Sequence, residues 1–404
     1  MENFEVPSEV VDARPACREC DFRSHSLLRH IGETHGMSLS EYLEAHPGAP
    51  TISGALGLRQ EVKRRVAAPG AEALEVNLMG FTSKVDAAVG EFDCLPLPEG
   101  YMFPSKGKAK GAYERVLMGL LSGRNMFIWG MPGTGKDAVI HAYSAMTRKP
   151  VVMITFRPGT DIAPWFYTRS IGSEGTGWEF GHLWRALTEG VVGRDGVARP
   201  ALILMSDVDR ADSAQAEWFR ILTDSISGRI MDPHGKMVPL VKGTQFVCTA
   251  NSCGTGDSRG RMASANPMDA SILDRLGRKI QAEYLDWADE GKILMAKFPL
   301  LVEKCPGIFF SEKGETGPLG RATEALREAV SRGNLFAEFT HRGLCEVLGE
   351  CEDILRFRFR GKEAPPNLLK LGFRAWVEGL DSDTQLEARR AIDPHIKGGA
   401  LGED

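Results

Sequence analysis

The chain has 404 residues, of which 43% are hydrophobic and 25% charged, and its formal net charge is −5. This composition is typical of a globular protein, and the acidic balance argues against a molecule whose whole surface binds nucleic acid. No apolar run approaches the roughly 20 residues that span a bilayer, and the acidic N-terminus lacks the apolar region of a signal peptide. Eight cysteines are too few for a disulfide scaffold. We therefore expect a cytoplasmic protein with no membrane partner.

Residues 1–50 predict a small metal-binding module. Two cysteines and two histidines follow the spacing Cys17-x2-Cys20-x9-His30-x4-His35. Two thiolates and two imidazoles complete a tetrahedral zinc site, and a module this short needs a metal because it cannot build an adequate core. The nine-residue spacer and the segment "HGMSLSEYL" resemble the prokaryotic Cys2His2 fingers of the Ros/MucR type. The flanks are acidic or neutral, which favours protein recruitment and leaves DNA binding as the alternative.

Residues 51–100 have no sustained period and are predicted to be a linker with some helix. From about residue 101, short apolar runs alternate with helical patterns, which predicts a parallel sheet flanked by helices. A hairpin is predicted over 228–241, with its turn at Pro233–Gly235. The predicted strands are 125–130, 151–156, 201–206, 245–251 and 279–284, and the predicted helices are 135–146, 178–190, 213–226 and 268–276.

The fold class is therefore α/β, with a core domain over residues 101–286 that contains a five-stranded parallel sheet and flanking helices. Strand signals nearly vanish after this core, and segments such as "GRATEALREAVSRG" have helical spacing. Residues 287–393 are therefore predicted to form an α-helical domain. The tail, 394–404, is predicted to be disordered.

A glycine-rich segment between the first predicted strand and its helix has the pattern of a phosphate-binding loop. The segment Gly130-Met-Pro-Gly-Thr-Gly-Lys136 fits G-x-x-x-x-G-K, in the strand-to-helix context that the motif requires. Backbone N–H groups of such a loop close around phosphate oxygens, and the lysine reaches the β and γ phosphates of a nucleotide. The expected nucleotide ligands are Gly130, Pro132, Gly133, Thr134, Gly135, Lys136, Asp137 and Ser206.

Two positions depart from the usual pattern in a complementary way. Asp137 follows the lysine, where a Ser or Thr hydroxyl normally binds magnesium, and Ser206 ends a buried strand where an Asp normally does so. The two side chains look exchanged, so one carboxylate and one hydroxyl remain for Mg²⁺. Asp207 takes the position of the residue that polarises the attacking water, and Asp209 is the alternative. The competing interpretation is that both positions have degenerated, which leaves a site that binds nucleotide but is inactive.

With these motifs, residues 90–395 resemble the AAA+ ATPases of the MoxR group, including the ATPase subunit of cobaltochelatase, CobS. The resemblance rests on "FIWGMPGTGKD", "SDVDRADSAQAEWFRILTD", "FVCTANSCGTGDSRG", "ASILDRLGRKI" and "FAEFTHRGLCEVL". It implies that Asn251 positions water or the γ-phosphate, and that Arg342 reaches the nucleotide from a helical lid. It also implies an arginine delivered across a ring interface, with Arg275 as the candidate and Arg278 and Arg261 as rivals.

The resemblance further implies a ring, in the form of a hexamer, and a partner with a von Willebrand A-like domain. It places residues 161–180 in an insertion facing the centre of the ring, where Trp165, Phe166 and Tyr167 either grip a polypeptide or pack locally. The expected function is ATP–Mg²⁺ hydrolysis that remodels a partner protein. The alternatives are a nucleotide-gated scaffold without hydrolysis and a regulator that the zinc finger targets to DNA.

Overall fold

The computed structural model describes residues 17, 19–20, 34–35, 37, 41–42, 45–46, 75–90, 93–172, 175–223, 228–256, 265–360 and 363–396. The chain divides into two compact units, Met1–Leu74 and Glu75–Asp404. The second unit contains the predicted sheet and the helical domain. No helix of the described residues is both long and apolar enough to cross a membrane.

The strands of the second unit are short, as expected for a sheet interleaved with helices. In chain order they are β1 (Glu75–Leu78), β2 (Phe81–Lys84), β3 (Met126–Trp129), β4 (Val151–Thr155), β5 (Tyr167–Gly172), β6 (Gly175–Phe180), β7 (Val191–Val192), β8 (Ala198–Arg199), β9 (Leu202–Ser206), β10 (Arg229–Met231), β11 (Met237–Pro239), β12 (Gln245–Ala250) and β13 (Arg278–Gln281).

The helices fall into two groups, those that flank the sheet and those that follow it. The first group is α1 (Gly107–Leu121), α2 (Lys136–Thr147), α3 (Ala163–Phe166), α4 (His182–Thr188), α5 (Ser213–Thr223) and α6 (Ala270–Arg275). The second group is α7 (Trp287–Lys297), α8 (Pro299–Lys304), α9 (Pro318–Arg332), α10 (His341–Asp353), α11 (Leu368–Glu378) and α12 (Ser382–Ile392).

Five strands form one parallel sheet in the order β13-β3-β12-β9-β4. All five predicted strands lie in it, and every residue of β9 and β12 is buried. Side chains alternate between the faces, so Met126 and Ile128 pack against α1 and α2, whereas Phe127 packs on the opposite face with Leu183 of α4. Because the strands are parallel, the loops after β3, β9 and β12 leave the same edge of the sheet.

The first hairpin corrects the predicted linker. Strands β1 and β2 pair antiparallel, and Leu78 is fully buried in the core cluster formed by α1, α2 and the sheet. Residues 75–90 and 93–100 therefore belong to the same compact unit as the sheet. The sequence pattern does not reveal this hairpin, because each strand has only four residues and little apolar content.

A second hairpin, β5–β6, occupies the start of the segment 178–190 that was predicted to be a helix. Strand β6 occupies Gly175–Phe180 and pairs with β5, so the helix begins only at His182. The aromatic residues before it pack locally, since Phe166 is fully buried and the Tyr167 ring lies edge-on to Trp178. Ile171 near the tip of the hairpin is 88% exposed. The predicted hairpin over 228–241 is present as β10 and β11.

Helices α7 to α12 enclose a separate apolar core, which includes Leu294, Leu326, Phe339 and Phe373. We call residues 287–396 the lid. A 3-10 turn at Asp393–His395 continues α12, and Ile396 packs into the lid core. The predicted disordered tail is therefore wrong for residues 394–396, and residues 397–404 lie outside the described part of the chain.

Candidate functional site

The phosphate loop connects β3 to α2, and its conformation depends on glycine. Gly133 and Gly135 adopt left-handed backbone angles, with φ of 78° and 77°. The Thr134 hydroxyl donates to the Met131 carbonyl at 2.8 Å and closes the turn. A Cβ atom at Gly135 would lie 2.2 Å from the Tyr113 hydroxyl oxygen. A side chain at this position therefore cannot be accommodated without displacing Tyr113.

Two tyrosine hydroxyls hold the carbonyl side of this loop. Tyr113 of α1 has its hydroxyl 3.2 Å from the Thr134 carbonyl oxygen and 3.4 Å from that of Gly135. Tyr284, just after β13, donates to the Pro132 carbonyl at 3.0 Å. With these carbonyls engaged, the loop offers its N–H groups as donors to an anion at the N-terminus of α2.

Lys136 lies over the loop as the first residue of α2. Its ammonium donates to the carbonyls of Gly130 and Met131 at 2.8 and 3.1 Å, and to the Asn251 amide oxygen at 3.1 Å. Burial lowers the pKa of Lys136, and the opposing effect comes from three nearby carboxylates, Asp137, Asp207 and Asp209. Such a half-buried cation is positioned to bind phosphate oxygens.

The exchanged residues lie in direct contact. Ser206 ends β9 and is buried, and its hydroxyl donates to the Oδ2 atom of Asp137 at 3.3 Å. The other oxygen of Asp137, Oδ1, is buried without a hydrogen-bond partner among the described residues. A buried carboxylate oxygen is costly unless it is paired, and Mg²⁺ prefers oxygen ligands. The two side chains therefore fit a magnesium ion.

Asp207 sits in an unusual backbone conformation beside the loop. Its φ of 55° is left-handed, which is uncommon for a residue other than glycine and is often found at functional sites. The Asn251 amide donates to its Oδ1 atom at 3.4 Å, and Arg210 lies 3.7 Å from Oδ2. Burial raises the pKa of Asp207, Arg210 lowers it, and the neighbouring carboxylates raise it further.

Asp209, the alternative to Asp207, supports the backbone instead. It is buried, and its Oδ2 atom accepts the N–H groups of Asn251 and Ser252 at 3.0 and 2.9 Å. These bonds fix the turn after β12 and so the position of Asn251. The geometry thus favours Asp207 as the carboxylate that faces a ligand.

A cleft of about 400 Å³ gathers most of the predicted residues. Arg342, the second residue of α10, is exposed and reaches the cleft from the lid. The lining residues are Pro132, Gly133, Gly135, Lys136, Asp137, Ala138, Asp207, Arg210, Thr249, Asn251 and Arg342. Ser206 joins the cleft through its contact with Asp137.

The predicted trans-acting arginines are not part of this cleft. Arg275 ends α6, and its Nη1 atom is buried without a partner among the described residues. Arg278 begins β13 and donates to the Arg115 carbonyl at 3.0 Å. Arg261 lies outside the described residues. Within one chain, the Nη1 donor of Arg275 therefore has no partner among the described residues. Arg278, by contrast, is hydrogen-bonded to α1 of the same chain.

A second cavity, of about 140 Å³, lies along the same loop and was missed by the sequence analysis. Tyr101 lies in it, and its hydroxyl is buried without a partner in the described part of the chain. Burial raises the pKa of Tyr101, so the hydroxyl remains a donor at neutral pH. The lining residues are Pro98, Glu99, Tyr101, Met102, Tyr113, Gly133, Thr134, Gly135, Ala138, Leu285, Glu290, Ile293, Lys297 and His341.

The two cavities share Gly133, Gly135 and Ala138, so they meet at the phosphate loop. One is bounded by charged side chains and the other largely by apolar ones. This arrangement suits a ligand with a polyanionic end and a flat, mostly apolar end. No motif pointed to the second cavity, because its walls come from segments that are distant in sequence.

Three of the four predicted zinc ligands cluster in the N-terminal unit. The ligand atoms of Cys17, Cys20 and His35 all lie within 4.8 Å of one another. The His35 Nε2 atom is 3.5 Å from the Cys17 sulfur and 3.4 Å from the Cys20 sulfur. His30 lies outside the described residues. Two thiols and an imidazole at these distances fit a zinc ion.

One family profile matches part of the chain, and the solved structures that match are distant in sequence. Residues 125–276 match the family profile of the AAA domain of the dynein-related subfamily. Comparison with curated proteins gives no match. Among solved structures, NtrX from Brucella abortus is 15% identical, with a TM-score of 0.44 over 93% of this chain and 79% of that one. The RuvB Holliday junction branch migration motor of Thermotoga maritima is 12% identical, with a TM-score of 0.39 over 69% and 73%.

The profile covers the chain from β3 to α6, which includes four of the five sheet strands, the phosphate loop, the acidic end of β9 and Asn251. The parallel sheet and the loop geometry are those that a nucleotide-binding domain requires. Residues 125–276 therefore combine a match to the AAA domain profile with the parallel strands and phosphate loop of a nucleotide-binding domain.

Proposed function

We propose that this chain hydrolyses ATP with Mg²⁺ in the cleft and uses the energy to remodel a partner protein as a ring oligomer. The observation that carries the proposal is the contact between Asp137 and Ser206 beside Lys136. One carboxylate oxygen of Asp137 is buried without a partner among the described residues, and a metal ion bound there would pair it.

The residues of the cleft take distinct roles in this proposal. The loop amides and Lys136 bind the phosphates, and Asp137 holds Mg²⁺ with support from Ser206. Mg²⁺ held by these two side chains would neutralise negative charge that develops on the phosphates in the transition state. Asp207 orients the attacking water, with its carboxylate positioned by the Asn251 amide. Arg342 approaches the phosphates from the lid.

The second cavity takes the nucleoside in this proposal. The adenine ring occupies the apolar side of the phosphate loop, with Tyr101 as a donor and lid residues such as Ile293 as a wall. A nucleotide bound in both cavities would contact the sheet and the lid at once. Its binding would therefore depend on the position of the lid.

A ring supplies the missing arginine. We assign Arg275 as the residue that reaches the γ-phosphate of the neighbouring subunit, in a hexamer of the MoxR or CobS kind. An arginine of this type contributes orders of magnitude to hydrolysis in related phosphoryl-transfer enzymes. Since Phe166 and Tyr167 pack locally, Ile171 on the β5–β6 hairpin is the better candidate for contact with a polypeptide.

The N-terminal unit completes the proposal as a zinc-bound recruitment module. Cys17, Cys20 and His35 supply three ligands, and His30 is the expected fourth. The module brings a client or a von Willebrand A-domain partner to the ring. DNA targeting by this module is the second candidate function, because Arg18, Arg23 and Arg29 lie among the predicted ligands, but the acidic residues between them favour a protein partner.

Phosphate release by the purified full-length chain tests the activity. Turnover with ATP and Mg²⁺ that disappears in Lys136→Ala is the expected result. Tight ATP binding without phosphate release would instead identify a nucleotide-gated scaffold. Salt-sensitive binding of duplex DNA that is lost in Cys20→Ser would favour the DNA-targeted regulator.

A further inference from the structure

The segment after β13 lies directly along the phosphate loop. The Ala282 N–H donates to the Trp129 carbonyl at 2.7 Å, and a Cβ atom at Gly130 would lie 2.4 Å from the Ala282 carbonyl oxygen. Two residues later, the Tyr284 hydroxyl donates to the Pro132 carbonyl at 3.0 Å. Tyr284 is therefore anchored to the loop that binds phosphate.

The other side of Tyr284 faces the lid. The guanidinium carbon of Arg327, on α9, lies 4.0 Å from the centre of the tyrosine ring. Arg327 binds both carboxylate oxygens of Glu290 on α7, at 2.6 and 3.0 Å, and its Nε atom donates to the Phe339 carbonyl at 3.1 Å. The planar guanidinium thus fixes three partners in one geometry.

Glu290 extends this contact to α10. Its side chain is 2% exposed, and its Oε1 atom is 3.1 Å from the His341 Nδ1 atom. His341 is the first residue of α10, and Arg342, which lines the cleft, is the next. The buried Arg327–Glu290 ion pair therefore contacts two residues just before Arg342. Arg327 binds the Phe339 carbonyl, and Glu290 binds the His341 ring.

We propose that Tyr284, Arg327, Glu290 and His341 form a positioning array that sets the place of Arg342 relative to the phosphate loop. A buried ion pair contributes little net stability compared with apolar packing, but it strongly disfavours other arrangements of its partners. The array therefore links the loop that contacts phosphate to the start of the lid helix. This inference rests on the proposed function for the role of Arg342 at the nucleotide.

Hydrogen exchange in the full-length chain without nucleotide tests the link. Arg327→Met keeps the aliphatic stem and removes the guanidinium, so we expect exchange in a peptide covering residues 130–137 to accelerate by about fivefold, as loss of a cation–π contact implies. Arg332→Met is the matched control, because Arg332 lies on the same helix and pairs with Glu328 at 2.5 Å on the surface. Unchanged loop exchange in Arg327→Met, or equal acceleration in both variants, overturns the proposal.

A double-mutant cycle tests whether the array acts on Arg342. The readout is the affinity for a fluorescent ATP analogue, with Arg342→Ala introduced into the wild type and into Tyr284→Phe. We expect the loss caused by Arg342→Ala to be about fivefold smaller in Tyr284→Phe, since coupled residues are not additive. Tyr113→Phe is the matched control, since its hydroxyl also contacts loop carbonyls, from α1; it lines the second cavity and so can change affinity itself, but the loss caused by Arg342→Ala should stay as large in it as in the wild type. Full additivity with Tyr284→Phe overturns the proposal.

These readouts separate the array from the proposed function. A chain that binds ATP without hydrolysing it would refute the proposed activity, and the cycle would still decide the link. A chain that binds no nucleotide would refute the proposed function as a whole, and the exchange experiment would still decide the link. Unfolding curves of each variant confirm that the folded state is being compared.

Discussion

The Ser206 hydroxyl donates a hydrogen bond of 3.3 Å to the Asp137 carboxylate, across the gap between the end of β9 and the start of α2. Neither residue type is the usual one at its position, yet the pair brings together one hydroxyl and one carboxylate. Because the two side chains are in contact, a change at one position is expected to matter for the other.

Reversing the exchange is expected to be harmless only when both residues change. Asp137→Ser alone removes the carboxylate, and Ser206→Asp alone places two carboxylates together, at a cost of about 4 kcal/mol per charge pair at 4 Å with an effective dielectric of 20. We expect either single variant to lose most ATPase activity, and the double variant to recover it. Equal loss in the double and the single variants would contradict the exchange.

The two aspartates after β9 are expected to behave differently. Asp209→Ala removes the acceptor of two backbone N–H groups, and bonds to a charged group are worth about 1.5–3 kcal/mol each. We expect a lower free energy of unfolding in urea. Asp207→Asn should instead keep stability and nucleotide affinity while it loses turnover. If Asp209→Ala lost turnover without loss of stability, the roles of the two residues would be reversed.

The lid is expected to lose stability as the pH rises. Burial lowers the pKa of His341, but Cys345 and Glu290 outweigh it and raise the pKa from 6.5 to about 9. The folded state therefore binds the proton more tightly, so the stabilisation is complete below pH 6.5 and is lost as the pH approaches 9. Urea unfolding from pH 6 to 10 should show this decline in the wild type.

His341→Gln should flatten that decline, whereas His234→Gln, an exposed substitution in the turn between β10 and β11, should leave it unchanged. The carboxyl of Glu290 acts at the other end of the pH range. Burial raises its pKa, but His341 and Arg327 lower it overall, so its contribution is present near neutrality and is lost in acid. A pH profile that is the same in His341→Gln and the wild type would refute the assignment.

The N-terminal unit is expected to bind one zinc ion per chain. Cys17→Ser, Cys20→Ser and His35→Gln should each abolish zinc retention, because a structural site needs a complete ligand set. His46→Gln is the matched control, since His46 contacts Glu19 at 2.5 Å and is not part of the cluster. Metal analysis of the purified chain gives the measurement. Loss of zinc in His46→Gln and not in His30→Gln would show that His46, and not His30, is the fourth ligand.

Gly133 is expected to tolerate alanine poorly for two separate reasons. A left-handed conformation costs another residue about 1–2 kcal/mol. A Cβ atom would also lie 2.9 Å from the Thr340 Cβ atom and 3.1 Å from the His341 nitrogen. Gly159→Ala is the matched control, because Gly159 has a φ of 76° and nothing within 4 Å of the added atom. A larger loss of unfolding free energy and of ATP affinity is expected in Gly133→Ala. Equal losses in Gly133→Ala and Gly159→Ala would show that Thr340 and His341 of the lid shift to accommodate the added methyl group.

The sequence predicted the sheet well because each strand is a short apolar run between polar boundaries, as in Leu202–Ser206. It also predicted that Asp137 and Ser206 face one magnesium ion, because their positions in the two motifs normally do so; the two side chains are in contact, and the magnesium site stays a prediction. The hairpin β1–β2 was not predicted, because four-residue strands are too short to show a clear alternation of apolar and polar residues. The second cavity and the contact of Tyr284 with Arg327 depend on chain packing, which no local motif encodes. The roles of Arg275 and Arg342 stay predictions.

If the chain hydrolyses ATP as proposed, the meeting of two cavities at the phosphate loop has a consequence for the rate of turnover. After hydrolysis, ADP would keep its base in the pocket closed by Ile293 and His341, while the released phosphate retains contacts only in the open cleft. Phosphate would therefore dissociate first, and ADP would dissociate only after the lid had moved away from the phosphate loop. Product exchange, gated by that movement, would then limit the cycle instead of bond cleavage.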